Sequence, residues 1–318
     1  MDTPIQISSA PLQGMTDAIF RSVHHQIWGG VDAYYGPYLR LDSHKEPKAN
    51  QIRDIISPLN KKINYIPQLM GNQPAMLLER ITWLHQLGYE QVNWNLGCPY
   101  PMVTKRNMGA GLLNQPQLVE EILQEIIHSS PLPISIKCRL GYMDDQEIFP
   151  LIDVFNKFNI KEIIIHARTA SQLYKGSAQP EKVLPIQENS KHTVAYNGDI
   201  DSMEKFQEIQ QIFQGKINHY MLGRGLLRKP FLAQQIGGID HENIKEQMQL
   251  FHDTLTEQYA HKLQDHQLLM KMRSFWEYFS HSFSNPHKAY KMIKKASNMK
   301  KYGAAVAFNF SNFSNFDS

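Results

Sequence analysis

Residues 91–139 read QVNWNLGCPYPMVTKRNMGAGLLNQPQLVEEILQEIIHSSPLPISIKCR and set the pattern for most of the chain. The runs 91–96 and 133–139 are short and β-prone, whereas the segment 115–130 between them has the apolar period of an amphipathic helix. Two strands that are joined through a helix are typical of a parallel sheet. This stretch therefore predicts a strand–helix–strand unit.

The same alternation extends in both directions from this unit. β-prone runs recur near 5–10, 31–36, 63–69, 91–96, 133–139, 162–167, 192–197 and 217–222. Eight strands that alternate with helices predict an α/β fold, a TIM-type (β/α)8 barrel, which we place at residues 1–240. A doubly wound sheet is the alternative, but the segment after the first run, APLQGMTD, has a single glycine and lacks the dinucleotide-binding pattern.

The alternation of β-prone runs and helical segments ends at about residue 240. Residues 241–302 show helical periods without β-prone runs, and they predict a small all-helical C-terminal domain. Residues 303–318 are rich in Phe, Asn and Ser, and this composition predicts a low-complexity tail without regular structure.

Composition narrows the class of protein. The 318 residues are 42% hydrophobic and 20% charged, which is typical of a folded chain. The two cysteines exclude a disulfide scaffold and a four-cysteine zinc site, and we expect no metal. The apolar runs are shorter than a membrane span, and the N-terminal residues lack the features of a signal peptide. We therefore expect a soluble, monomeric protein of a reducing cytoplasm.

Positive charge is concentrated in the helical segment. Residues 271–301 hold eight lysines and arginines against one acid, Glu277, which is a net charge of +7 where the whole chain has +3. This concentration predicts a face that binds a polyanion, and nucleic acid is the favoured one. The aromatic residues between these cations, such as Phe275 and Trp276, either belong to that face or form a buried helical stripe.

Polar side chains lie at the ends of most predicted strands, where such a barrel carries its active site. Lys137 and Arg139 share one face of their strand, because side chains two residues apart point the same way. Cys138 between them points toward the helices, as a small buried side chain. A buried lysine needs an anionic partner, which is either a bound anion or, as the alternative, Asp199.

Two further motifs lie at predicted strand ends. Asn197-Gly198-Asp199 and Gly223-Arg224-Gly225 follow strands seven and eight, which often form the phosphate site of these barrels, and their glycines favour close approach of an anion to the backbone. Cys98 lies in a loop between Gly97 and Pro99. Its thiol is a structural group, a nucleophile with His166 as base, or a proton donor.

Six segments in order and spacing resemble the tRNA-dihydrouridine synthases over about residues 8–235. They are APLQGMTDAIFR at 10–21, NWNLGCPYPMVTKRNMGAGLL at 93–113, SIKCRLG at 135–141, IIIHART at 163–169, VAYNGDI at 194–200 and MLGRGLL at 221–227. The positions of Arg40 and of the pair Lys271 and Arg273 also resemble the pattern of the family's bacterial C-type subgroup.

The resemblance implies a flavoenzyme that reduces the C5–C6 bond of a D-loop uridine in tRNA, with bound FMN and with NADPH as reductant. The implied FMN contacts are Pro11, Leu12, Gln13, Gln68, Lys137, His166, Asn197, Gly198, Asp199, Gly223 and Arg224. Asn95 and Arg139 would face the uridine, and Arg40, Lys271 and Arg273 would bind tRNA phosphates. Cys98 would protonate C5 while hydride from FMN N5 reaches C6.

Some positions depart from the family's pattern. Asn93 stands where the family usually has Asp, Gln13 where a small residue or Glu is common, and Tyr100-Pro101 where small and basic residues are frequent. Two other functions remain open at this point. One is a small-molecule flavin dehydrogenase of the dihydroorotate or dihydropyrimidine type, and the other is a catalytically silent tRNA-binding protein.

Overall fold

A computed structural model describes residues 4–42, 47–239 and 242–312 and contains ten parallel strands. The strands are β1 (Gln6–Ser9), β2 (Ala33–Tyr35), β3 (Leu39–Arg40), β4 (Tyr65–Ile66), β5 (Gln68–Met70), β6 (Val92–Leu96), β7 (Ile134–Gly141), β8 (Ile163–Thr169), β9 (Val194–Asn197) and β10 (His219–Leu222). Each of the eight predicted β-prone runs contains a strand. The predicted run 63–69 holds two, β4 and β5, and the two-residue strand β3 was not predicted.

The sheet closes on itself through the segment 65–70. The strand order is β3-β5-β6-β7-β8-β9-β10-β1-β2-β4. β4 pairs with β2 and β5 pairs with β6, and a single residue, Pro67, separates β4 from β5. Proline has no backbone N–H to donate to a ladder, so it interrupts the strand while the chain continues across it. The predicted (β/α)8 barrel is confirmed.

Helices surround the barrel between its strands. They are α1 (Ala18–Ile27), α2 (Ala49–Ile55), α3 (Pro74–Gln86), α4 (Pro101–Thr104), α5 (Pro116–Ser129), α6 (Ile148–Phe155), α7 (Leu184–Asn189), α8 (Met203–Phe213), α9 (Arg224–Arg228) and α10 (Leu232–Ile236). The apolar faces of most of them pack on the outside of the strands and belong to the largest hydrophobic cluster of the described residues, whereas α1 belongs to a second cluster. No helix of the described ranges is long and apolar enough to cross a membrane.

Four further helices follow the barrel: α11 (Ile244–Ala260), α12 (Asp265–Phe279), α13 (Pro286–Lys295) and α14 (Met299–Asn312). They share one hydrophobic cluster with Phe20 and Trp28 of the barrel segment. Phe275, Trp276 and Phe279 are buried in this cluster, so the aromatic stripe is core, and it is not part of a nucleic-acid-binding face. The predicted boundary at 240 and 241 lies outside the described residues.

The expectation of a structureless tail from residue 303 is wrong for residues 303–312. Helix α14 runs to Asn312 and buries Tyr302, Val306 and Phe310, which recur with the helical period. The Tyr302 hydroxyl accepts a hydrogen bond from Trp276 Nε1 at 2.9 Å and lies 2.6 Å from Nε2 of His252. The sequence prediction missed this apolar period because it rested on the low-complexity composition of the segment. The remaining tail, residues 313–318, lies outside the described residues.

Asp17 joins the barrel to the helical region. Its carboxylate accepts hydrogen bonds from the Phe20 backbone N–H at 3.1 Å, from the Tyr259 hydroxyl at 2.7 Å and from Lys271 Nζ at 2.9 Å. Lys271 Nζ also donates to the Gly14 carbonyl at 2.8 Å. Burial opposes ionisation of Asp17, but the charge and hydrogen bond of Lys271 outweigh it and lower the pKa of the carboxyl. Its stabilising effect is therefore present near neutral pH and is lost in acid.

Asp17→Ala is expected to lower the free energy of unfolding by about 2 kcal/mol, because it removes the N-cap of α1, the acceptor of the Tyr259 hydroxyl and the carboxylate partner of Lys271. Urea unfolding measures the effect. Asp153→Ala, at an exposed position of α6, is the matched control and should change stability by less than about 0.5 kcal/mol. Equal changes in the two variants would contradict this role of Asp17.

Candidate active site

A cavity of about 350 Å³ lies at the carboxyl ends of the strands. The predicted site residues that line it are Pro11, Leu12, Gln13, Asn95, Cys98, Lys137, Arg139, His166, Asn197, Gly198, Asp199, Gly223 and Arg224. They come from the ends of β1, β6, β7, β8, β9 and β10. Parallel strands place all of these ends at the same mouth of the barrel, so distant segments of sequence form one site.

Lys137 is buried in this cavity without a carboxylate partner among the hydrogen bonds of the described residues. Its Nζ donates to Asn197 Oδ1 at 2.8 Å. Burial, and then the charge of Arg139, lower the pKa of Lys137 to about 7. The alternative salt bridge with Asp199 does not form, because Asp199 binds Arg168 and Arg224, the latter at 2.9 Å. Lys137 is therefore placed to bind an anionic group of a ligand.

The cavity carries more positive than negative charge. Its lining includes Lys137, Arg139, Arg224 and Arg228 against Asp199 and Asp201. Burial and the surrounding cations hold the pKa of His166 well below its usual value, so this imidazole is neutral at pH 7. The strongly lowered pKa makes His166 a weak base and argues against its activating a cysteine nucleophile, and the charge balance favours an anionic ligand.

Asn95 holds the loop that carries Cys98. Its Oδ1 accepts the backbone N–H groups of Gly97 at 3.0 Å and of Cys98 at 2.9 Å. Its Nδ2 donates to Gln68 Oε1 at 2.7 Å, and Gln68 Nε2 donates to Asn93 Oδ1, also at 2.7 Å. Gln68 does not line the cavity but supports Asn95 from below. Asn93, which departs from the family's Asp, is part of the same chain of amides.

Arg139 fixes the same loop from the other side. Its Nε donates to the Gly97 carbonyl at 3.0 Å, and its Nη1 donates to the carbonyls of Thr169 at 2.9 Å and Leu173 at 2.8 Å. The guanidinium thus ties the Cys98 loop to the loop after β8. Both Asn95 and Arg139 line the cavity, and both use most of their polar atoms to position its walls.

Gly109 packs directly against Cys98. Its φ is +54°, and a Cβ at this position would lie 2.8 Å from the Cys98 carbonyl oxygen. A side chain here would both strain the backbone and push the Cys98 loop away. Cys98 as a residue is 7% exposed, and the hydroxyl of Tyr38 lies 3.5 Å from its Sγ.

Several lining residues were not predicted as site residues. Arg228, Tyr174 and Tyr278 line the cavity, and Arg168 binds Asp199 beside it. Tyr174 lies with its ring 5.5 Å from the Arg139 guanidinium and 5.0 Å from that of Arg224. Tyr278 belongs to α12, so the helical region forms part of the mouth. Arg168 lies at the end of a predicted strand, so the sequence pattern was sufficient to predict it as a site residue. Tyr174 and Tyr278 lie outside the strand-end motifs, so that pattern did not indicate them.

Three predicted tRNA-binding residues do not line the cavity. Arg40 binds Asp42 at 3.0 Å and the Met102 carbonyl at 3.2 Å. Lys271 is held by Asp17, and Arg273 donates to the Ala296 carbonyl. These cations have structural partners within the protein.

Of four tyrosines in the segments near the mouth, Tyr34 and Tyr35 are buried in the barrel. The hydroxyl of Tyr34 lies 2.8 Å from Nδ1 of His24, and that of Tyr35 donates to Glu162 at 2.7 Å. Tyr38 and Tyr100 line the cavity, and Tyr100 is 51% exposed, so these two are available to stack on a ligand.

The positive charge of the helical region lies mainly on α13 and the start of α14. Six lysines there are exposed: Lys288, Lys291, Lys294, Lys295, Lys300 and Lys301. Apolar residues on the other side of α13, such as Ala289 and Ile293, are buried in the helical core. The cations therefore face solvent as one surface.

A (β/α)8 barrel with a basic cavity and a cysteine loop at its strand ends has the architecture of an enzyme. The family model of the dihydrouridine synthases (Dus) matches residues 8–316. The chain belongs to the dihydrouridine synthase family and is an oxidoreductase.

Curated relatives agree with this family. The tRNA-dihydrouridine(16) synthase of Aquipseudomonas alcaligenes is 29% identical over 242 residues, which are 74% of this chain and 76% of that protein. That of Pseudomonas syringae pv. tomato is 30% identical over 245 residues, covering 73% and 74%. The tRNA-dihydrouridine synthase B of Pseudomonas aeruginosa is 28% identical over 236 residues, covering 73% and 69%.

Solved structures show a similar fold at low sequence identity. Histamine dehydrogenase from Rhizobium sp. 4-9 has a TM-score of 0.58 at 11% identity, over 76% of this chain and 46% of that chain. An old yellow enzyme homologue from Zymomonas mobilis has a TM-score of 0.51 at 9% identity, over 74% and 91%. These likenesses support the barrel fold.

Asn95→Ala is expected to increase the alkylation rate of Cys98 about tenfold, because the loop loses two backbone hydrogen bonds. Iodoacetamide labelling with site-resolved mass spectrometry measures the rate, and the fully buried Cys138 is the internal reference. Asn64→Ala, at an exposed position that bonds the Asp32 carbonyl, is the matched control. An unchanged Cys98 rate in Asn95→Ala would show that other contacts hold the loop.

Proposed function

We propose that this protein reduces the C5–C6 bond of a D-loop uridine in tRNA, with FMN bound in the cavity and NADPH as reductant. The observation that carries the proposal is that one basic cavity holds a cysteine loop and a buried lysine, Lys137, which has no carboxylate partner among the described residues. The names of the relatives, tRNA-dihydrouridine(16) synthase and tRNA-dihydrouridine synthase B, support tRNA as the substrate.

The residues of the cavity fit FMN. Gly198 and Gly223 bring backbone to the cavity wall, and Arg224 and Arg228 supply guanidinium groups for a phosphate. Lys137, with its lowered pKa, fits the part of the flavin on which negative charge accumulates in the reduced form. Bound FMN would supply the hydride for C6 and would be recharged by NADPH.

Cys98 supplies the proton in this proposal. A cysteine thiol carries a proton that it is able to transfer to a carbon atom, so it is suited to act as a general acid. Asn95, Arg139 and Gly109 hold its loop in one position. A proton donor that is held in one position is already oriented for the reaction. Such orientation accounts for a large part of the rate enhancement in enzymes.

Positive surface charge supports recognition of tRNA. A uridine that reacts in this cavity has to leave the folded tRNA, and the rest of the tRNA then lies outside the mouth. The exposed lysines of α13 and α14 are suited to binding phosphates there. Because Lys271 and Arg273 are only partly exposed, we assign the main phosphate contacts to the more exposed lysines, namely Lys291, Lys294, Lys295, Lys300 and Lys301.

Cys98→Ala is expected to lower dihydrouridine formation by about 100-fold or more while FMN binding and reduction by NADPH continue, since the thiol acts on the uridine alone. The readout is nucleoside mass spectrometry of tRNA from a strain that lacks the endogenous enzyme. Cys138→Ala is the matched control, because Cys138 is buried outside the cavity, and it should retain product formation.

The same assay separates the proposal from its alternatives. Near-normal product with Cys98→Ala would remove the thiol as proton donor. Turnover of dihydroorotate or a free pyrimidine, without modification of tRNA, would indicate a small-molecule dehydrogenase. A protein that binds tRNA but neither binds FMN nor forms product would be a silent binding protein. Mapping the modified position shows whether it is uridine 16, as in the names of two relatives.

FMN binding is expected to take up a proton above pH 7, and affinity should fall as pH rises further. The pKa of Lys137 is about 7 without an anionic partner, so the amine is neutral at higher pH and must be protonated to pair with the ligand. Titration calorimetry in buffers of different ionisation enthalpy measures the uptake.

Lys137→Met should abolish that part of the proton uptake and weaken FMN binding about tenfold. Lys137→Arg is the matched control, because a guanidinium is always charged and binds without taking up a proton. Ionisation of the FMN phosphate contributes equally to the measured proton uptake in the wild type and in the two variants. Identical proton uptake in the wild type and in Lys137→Met would contradict the placement of Lys137 beside the ligand.

A further inference from the structure

The hydroxyl of Tyr38 lies 3.5 Å from Cys98 Sγ, at the wall of the cavity. Tyr38 lies between β2 and β3, directly before Leu39. Its carbonyl accepts hydrogen bonds from Nε2 of Gln13 at 3.1 Å and from Nε2 of Gln51 at 2.9 Å. The backbone of Tyr38 is therefore fixed from two sides, and its hydroxyl has a defined position against the thiol.

The surroundings of the thiol are otherwise mostly apolar. Cys98 belongs to a small cluster with Met70, Val103 and Met108, against which Tyr38 packs. In such a setting a hydrogen bond to an ion is stronger than in water, because few water molecules compete for it.

The titratable and charged groups around the pair are few in the described part of the chain. Tyr38 faces Cys98 from the segment before β3, Tyr100 from its own loop and Arg139 from β7. Arg40 acts on Tyr38 from β3. Among these groups, Tyr38 is the one with a hydrogen-bonding distance to Sγ.

We propose that Tyr38 is a further catalytic residue, whose hydroxyl donates a hydrogen bond to the thiolate that forms when Cys98 gives up its proton. The inference rests on the proposed function. In that step the S–H bond of Cys98 breaks, the electron pair of the C5–C6 double bond forms the new C5–H bond, and the negative charge stays on sulfur. The hydride for C6 comes from the flavin, and a solvent proton restores the thiol before the next turnover.

Tyr38 remains protonated through this step. Burial raises the pKa of its hydroxyl, and the neighbouring Cys98 raises it further. Before proton transfer either atom of the pair is able to donate, but a thiolate only accepts, so the hydroxyl becomes the donor as charge develops. The interaction is therefore stronger after proton transfer than before it, which is the condition for lowering the barrier.

Tyr38→Phe tests the proposal, since it removes the hydroxyl and keeps the ring. The full-length protein with its bound flavin is alkylated with iodoacetamide across a range of pH, and mass spectrometry follows Cys98 separately from Cys138. We expect the midpoint of the Cys98 profile to rise by about one pH unit, because the thiolate has lost a donor. We expect kcat for dihydrouridine formation to fall about tenfold with little change in KM for tRNA.

Tyr100→Phe is the matched control for the alkylation profile. Tyr100 also lies near Cys98, but its hydroxyl is not within hydrogen-bonding distance of Sγ in the described contacts, so its removal should leave the midpoint unchanged. An unchanged midpoint in Tyr38→Phe would overturn the proposal, even if turnover fell. An equal shift in both variants, or a shifted midpoint with full turnover, would also overturn it.

The alkylation profile does not depend on tRNA, so this inference and the proposed function fail separately. If Cys98→Ala still forms product, the proposed role of the thiol is wrong whatever Tyr38 does. If Cys98→Ala is inactive and Tyr38→Phe keeps the wild-type midpoint and turnover, the thiol is the proton donor without help from Tyr38.

Discussion

Closure of the barrel at the interrupted strand 65–70 is the constraint on which the site depends. Because β4 pairs with β2 and β5 pairs with β6, the first part of the chain is brought beside the middle part. This closure places Tyr38, which follows β2, next to Cys98, which follows β6. The loop after β1 lies beside the motif after β10 for a different reason, since these two strands pair directly. An open sheet would leave β2 and β6, the strands before Tyr38 and Cys98, near opposite edges.

Charge within the barrel is distributed so that Lys137 has no carboxylate partner among the described contacts. Asp199 compensates Arg168 and Arg224, while Arg139 is satisfied by backbone carbonyls. Lys137 has an amide oxygen as its described partner, and burial together with the charge of Arg139 lowers its pKa. Burying an ammonium group is costly unless an anion accompanies it. The buried Lys137 therefore favours binding of an anionic ligand, and strand β7 fixes the position of this lysine.

The helical region packs against the barrel and forms part of the cavity mouth. Asp17 accepts hydrogen bonds from α11 and α12, the aromatic side chains of α12 pack against α1, and Tyr278 of α12 reaches the cavity mouth. Because its apolar residues form a shared core, the lysines of α13 and α14 are left on the outer surface. The helical region therefore contributes both to the cavity mouth and to the basic outer surface.

The barrel, the convergence of strand-end residues and the family were all predictable from the sequence, because strand periodicity and the Cys98, Lys137 and glycine motifs are local patterns. The tertiary structure decided the partners of these residues. Gln68 supports Asn95 instead of lining the cavity, and Lys271 pairs with a residue 254 positions away. The tail helix α14 was missed because its stability comes from packing on Trp276 and His252. A local pattern predicts which way a side chain points, but which group it meets depends on contacts between distant segments, and these exist only in the folded chain.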